Sequence, residues 1–107
     1  MRRGAICWIQ LGKGSPPEFG KTRPGLIVSN TQQNEILDSV VVIPLSSQPP
    51  EIWPLRVKIN LPKKKPSFVV IPGMRQVSKG RLGEIIGFLS ANAMSGIDEA
   101  LLTYLND

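Results

Sequence analysis

Apolar runs in this chain are short and are cut at close intervals by proline and glycine, which rules out long helices over most of its length. Ten prolines and ten glycines are spread through 107 residues. A proline inside a helix removes a backbone donor and clashes with the preceding turn, whereas strands of roughly four to eight residues fit between such breaks. Residues 5–11, 25–29, 39–45, 55–61, 67–71, 74–77 and 84–89 read as such strands, with 39–45 the most strongly β-branched. The first ends at Gly12-Lys13-Gly14-Ser15-Pro16-Pro17, and a loop then runs to Arg23-Pro24. Pro24 pushes Arg23 towards an extended backbone at the mouth of the next strand. Residues 30–35 are polar and turn-like, and 62–66 form a basic turn after a stretch that alternates with period two. Only from Ser90, a helix N-cap by type, does the spacing change, with Met94, Ile97, Leu101 and Leu105 on one helical face. Gly96 weakens that helix by about 1 kcal/mol relative to alanine, a loss that packing onto the sheet would offset. The expectation is a mainly β single domain over residues 1–107, a compact antiparallel barrel covered by one C-terminal helix.

Two absences narrow the chemistry. The chain has no histidine and one cysteine. Ser-His-Asp and Cys-His catalysis and zinc sites built from His and Cys are therefore excluded, and no metal site or cofactor is expected. Cys7, between Ile6 and Trp8, reads as packing, and Trp8 reads as core. Any catalysis must use Arg, Lys, carboxylates and hydroxyls. Thirteen Lys and Arg against eight Asp and Glu give a formal charge of +5, a balance that attracts polyanions such as nucleic acid. No window holds the roughly 20 apolar residues of a membrane span, and the N-terminus lacks the apolar stretch of a signal peptide. A soluble cytoplasmic protein with no membrane association is the expectation.

Several blocks occur together in one order: Gly4-Ala-Ile-Cys-Trp-Ile-Gln-Leu11, Glu18-Phe-Gly-Lys-Thr-Arg-Pro24, Leu26-Ile-Val-Ser-Asn30, Val42-Ile-Pro-Leu-Ser-Ser47, Arg75-Gln-Val77 with Arg81-Leu-Gly83, and Ile86-Gly-Phe-Leu-Ser90. In order and spacing they resemble the MazF/PemK toxins of bacterial toxin–antitoxin systems, over nearly the whole chain. The resemblance implies an SH3-like barrel of the MazF/PemK/CcdB type and a symmetric homodimer. It also implies metal-independent, sequence-specific cleavage of single-stranded RNA, and a cognate antitoxin whose disordered tail occupies the RNA groove.

Metal-free RNA cleavage uses the 2'-hydroxyl as nucleophile, and the protein must handle a developing anion and two proton transfers. An arginine fork matches phosphate oxygens and stays charged. A strand-end hydroxyl adds a hydrogen bond. By resemblance Arg23 is the catalytic arginine, and Ser46 stands where relatives carry a catalytic threonine or serine. Glu18 matches a loop glutamate of relatives and is the candidate proton acceptor, or else orients Arg23. Lys13, Lys21, Lys63, Lys64 and Lys65 are candidate contacts to an RNA backbone, although a lysine run also reads as a solvated turn. Arg75 is a candidate for phosphate contact or for the dimer, Trp53 for base stacking or a core rim, and Asn30 for satisfying turn backbone groups. One departure stands out: many relatives carry an acidic residue and Gln ahead of the arginine matching Arg75, where this chain has Pro72-Gly73. Two alternatives follow: a catalytically impaired barrel that binds nucleic acid or a partner protein without cutting, and a gyrase poison, whose terminal residue pattern is not visible here.

Overall fold

A computed structural model of the protein describes residues 1–12, 21–61 and 65–107. Among these residues the order is β1 (Ala5–Gln10), β2 (Thr22–Ile27), α1 (Thr31–Ile36), β3 (Ser39–Ser46), β4 (Arg56–Ile59), β5 (Ser67–Val70), β6 (Arg75–Ser78), β7 (Leu82–Phe88) and α2 (Ala91–Leu105). Single 3-10 turns stand at Ile71–Gly73 and Lys79–Arg81.

The long strand β3 is the hub. One edge pairs antiparallel with β2, Leu26 opposite Ile43, and the other edge pairs with β6 along Ser39–Val42 and with β5 at Leu45 and Ser46. The turn Ile71–Gly73 separates β5 from β6, and pairing resumes beyond it offset by the three residues of the turn. Pro72 accounts for the break, because proline has no N–H to give to a ladder. Strand β1 takes β2 on one side and β7 on the other, so the path runs β4-β5-β3-β2-β1-β7 with β6 beside β3. This is the mainly β fold with a C-terminal helix that the segment lengths imply, and it agrees with the SH3-like barrel implied by the MazF/PemK resemblance.

Apolar clusters lie on both faces of the central strands. Val40 and Val42 pack with Ala5, Cys7, Ile9, Leu11, Ile27 and Val77 on one face, while Ile43 and Leu45 join Ile6, Leu26, Val69, Ile71 and the α2 residues Met94, Ile97 and Ala100 on the other. A strand covered on both faces needs apolar residues at successive positions rather than alternate ones, which is why 39–45 reads as an almost unbroken run. Cys7 is fully buried, and burial pushes its thiol pKa up, so it is a packing residue with little thiolate character.

Helix α2 is capped by Ser90, whose Oγ accepts from the Ala93 N–H at 3.1 Å. Arg3 clasps it to the sheet, donating from Nε to the Val28 carbonyl at 2.7 Å and pairing through Nη2 with Asp98. The buried stripe stops at Ala100 and half-buried Leu101, and Leu105, expected on the same face, is 63% exposed. Nothing lies within 4 Å of the place where a Gly96 side chain would start, so packing does not offset its helix cost.

Two further expectations change. Residues 31–36 form a short helix rather than an irregular turn. Asn30 caps it, accepting at Oδ1 from the N–H groups of Gln32 at 2.8 Å and Gln33 at 3.4 Å. Its inward position is filled by a polar residue, Asn34, so no apolar periodicity marks it. Asn34 is 1% exposed and donates to the carbonyls of Met1 and Ser29, both at 3.0 Å, while accepting from Ser29 Oγ at 2.6 Å. Trp8 is 39% exposed instead of core. Period-two alternation turns it away from Cys7 and Ile9, and it lies over Gly83 of β7, where an added Cβ would stand 3.3 Å from the Trp8 Cβ.

Asn34→Ala strands two carbonyls and a hydroxyl in the interior, so urea unfolding is expected to show a loss of about 3 kcal/mol. Gly96→Ala, entering open space, is expected to gain about 0.5–1 kcal/mol in the same assay.

Candidate active site

The hairpin of β1 and β2 sets the position of Arg23. Its pairs are Ile6 with Leu26, Cys7 with Gly25, Trp8 with Pro24, Ile9 with Arg23 and Gln10 with Thr22. Arg23 therefore lies inside β2, not merely at its mouth, with Pro24 tolerated in the ladder. Beyond the last pair, the Leu11 N–H donates to the Lys21 carbonyl at 2.8 Å and the Lys21 N–H to the Gly12 carbonyl at 2.5 Å. These bonds make a neck for the segment that contains Lys13 and Glu18, both of which fall outside the described residues.

Gly25 pairs with Pro44 of β3. Carried two residues further, this register sets Arg23 across from Ser46. Alternation then puts both side chains on the face that carries Ile27 and Val42. Ser46 is 9% exposed. Its Oγ accepts from the Gln48 N–H at 3.1 Å. A hydroxyl that accepts one bond still has its own proton to donate, so the backbone contact orients Ser46 without using its donor.

Arg56 supports this corner. It donates from Nη2 to the Gln48 carbonyl at 2.5 Å and from Nε to the Pro50 carbonyl at 3.3 Å. Its guanidinium carbon lies 5.9 Å from the centroid of the Phe68 ring, and Phe68 is the strand neighbour of Ser46. Sequence reasoning missed this residue. Its only signal was a basic side chain in the alternating stretch 55–61. Arg56 also exchanges backbone bonds with Ile52 at 2.9 and 2.6 Å, closing the turn that holds Trp53 half exposed at its tip.

Other sequence candidates are more scattered. Arg75 pairs with Val42, four residues before Ser46 on β3, a separation of about 13 Å along the strand at roughly 3.3 Å per residue. Arg75 is half-buried and shares the face of Val77. Lys21 is exposed at the neck, and Lys65 is exposed just before β5. Lys63 and Lys64 fall outside the described residues. Pro72-Gly73 lies in the 3-10 turn between β5 and β6, so the position where the resemblance implies an acid has no carboxylate in this chain.

The family model for the PemK-like, MazF-like toxins of type II toxin–antitoxin systems matches residues 2–105. The chain belongs to this family. The endoribonuclease MazF9 of Mycobacterium tuberculosis is 26% identical over 114 residues, covering 99% of this chain and 97% of that protein. A mycobacterial endoribonuclease solved with its cognate antitoxin superposes with a TM-score of 0.82 at 28% identity, covering 98% of this chain and 94% of that one. Deinococcus radiodurans MazF reaches 0.83 at 19% identity, covering 98% and 96%, a likeness of fold.

In this MazF-like toxin the close approach of β1 to β2 depends on Gly25. A Cβ there would collide with the Ile9 Cδ1 and stand 3.4 Å from the Ile43 carbonyl oxygen. Gly25→Ala is expected to cost about 1–3 kcal/mol. Ile9→Val removes Cδ1, so a double-mutant cycle by chemical denaturation should recover most of that loss. Additive losses would instead place the cost at the Ile43 carbonyl.

Proposed function

We propose that this toxin is an endoribonuclease that cuts single-stranded RNA, in the cell mRNA, at a short recognised sequence and without a metal, stopping translation and growth. The observation that supports this most directly is the β2–β3 register, Gly25 opposite Pro44, which carried two residues further sets Arg23 across from Ser46.

In the proposed reaction the 2'-oxygen bonds to the adjacent phosphorus while the bond from phosphorus to the 5'-oxygen breaks. The products are a cyclic phosphate and a 5'-hydroxyl. Arg23 supplies a fixed positive fork to the phosphate oxygens as their charge grows. Ser46 donates its remaining proton to the same group. Glu18, five residues before Arg23 in the sequence, is assigned on the family resemblance to take the 2'-hydroxyl proton, and the departing 5'-oxygen takes a proton from solvent water to become the 5'-hydroxyl. Lys13, Lys21, Lys63, Lys64, Lys65 and Arg75 are assigned to the RNA backbone and Trp53 to a base.

The wider setting follows the relatives. Because a mycobacterial relative was solved with its cognate antitoxin, we extend that partnership to this chain, as a homodimer of single-domain protomers acting in the cytoplasm. No helix of the described residues is long and apolar enough to cross a membrane. A second reading, a barrel that binds RNA without cutting, draws on Pro72-Gly73, which supplies no carboxylate where relatives carry one.

Incubating the protein with a long single-stranded RNA in EDTA separates the two. Discrete cuts ending in cyclic phosphate are expected, with Arg23→Ala slower by about 10²–10³-fold. Intact RNA beside a folded dimer would establish the binding-only reading, and cleavage restored only by magnesium would sink the metal-free scheme.

A further inference from the structure

β7 leaves β1 before β1 ends. The last pair between them is Ile9 with Leu82, after which the chain departs through the 3-10 turn Lys79–Arg81, where Ser78 Oγ accepts from the Gly80 N–H at 3.2 Å. Among the described residues the next carbonyl along that edge of β1, on Gln10, consequently has no strand opposite it. The Arg81 side chain takes its place, donating from Nη1 to the Gln10 carbonyl at 3.2 Å.

The same guanidinium lies against Gly12, where an added Cβ would be 3.5 Å from Nη1. Gly12 has φ +73 and Lys21, across the neck, has φ 66. The left-handed region is uncommon for a residue with a side chain and persists only where neighbours hold it. Lys21 has no glycine freedom. Its conformation depends on the bonds to Gly12 and Leu11, and these depend on where β1 ends.

We infer that Arg81 is a positioning residue for the active site, acting through the hairpin neck. Its bond to Gln10 fixes the end of β1, and Gln10 pairs with Thr22, the residue before Arg23. The neck bonds hold Leu11 and Gly12 against Lys21, two residues before Arg23. Arg81 thus acts on the side of β1 away from Arg23 and touches the reacting atoms at no point. This role rests on the endoribonuclease reading for its catalytic consequence, but its structural half stands apart from that reading.

Two measurements on Arg81→Ala test it. The first is hydrogen exchange of the full-length protein by NMR. The Leu11 and Lys21 amides should exchange about tenfold faster than in wild type, with Val28 unchanged as an internal reference. Equal rates at the neck would overturn the proposal whether or not the protein cuts RNA.

The second is a split of kcat against affinity on a cleavable oligonucleotide and its non-cleavable 2'-deoxy counterpart. The kcat should fall about tenfold or more, because small misplacements of reacting groups are costly, while affinity for the 2'-deoxy RNA stays within twofold. Arg81→Lys, which keeps a donor able to reach the carbonyl, should restore neck protection and most of kcat. If Arg81 instead contacted RNA phosphate, affinity would fall and the slope of log affinity against log salt would drop by about 0.7. That result would overturn the positioning role, as would an unchanged kcat in a wild type that cleaves. A wild type that cuts nothing would sink the endoribonuclease reading, leaving exchange to decide the clamp.

Discussion

β3 hydrogen-bonds along both edges, with β2 on one side and β6 then β5 on the other, so its backbone polar groups are satisfied only when all three neighbours are in place. Its side chains face an apolar cluster on each side. A register slip by one residue would exchange the two sets, and the clusters differ in shape and membership, so the pairing is fixed from both faces. Ser46 ends this strand, and Arg23 enters on the strand beside it. The proposed catalytic pair therefore inherits its placement from the most constrained backbone in the molecule.

Around that rigid line, the supports of the site are mostly side chains bonded to main-chain carbonyls. Arg56 holds the carbonyls of Gln48 and Pro50, Arg81 that of Gln10, and Arg3 that of Val28. Each arginine satisfies an acceptor where a strand has ended or a loop departs. Three of the thirteen basic residues thus have an architectural role before any polyanion is considered. Net charge alone said nothing about which arginines face a substrate and which hold a loop.

Strand segments were legible because proline and glycine punctuate them, and the terminal helix because its apolar spacing changes after Ser90. Helix α1 was not, since its single inward position is polar and its cap, Asn30, resembles a turn residue. Trp8 was misread for a related reason: composition marks a tryptophan as core, but only the pairing of β1 with β7 shows that its side lies over Gly83. Nothing in residue spacing brought Arg23 and Ser46 together. That came from the family blocks, and the ladder of β2 with β3 supplies the physical reason. Arg56 was passed over and Arg81 was read only as part of a family block, because bonds from a side chain to backbone carbonyls leave no pattern in residue types.

The 3-10 turn between β5 and β6 has a different kind of consequence. Its middle residues face no opposing strand, and the offset it introduces is absorbed wholly by the edge of β3. Pro72 is exposed there and Gly73 half-buried, and among the described residues neither takes part in a strand pair. A change at position 72 therefore meets fewer constraints than one in the strands on either side. The turn is thus a place where the surface of the toxin can change while the core stays the same.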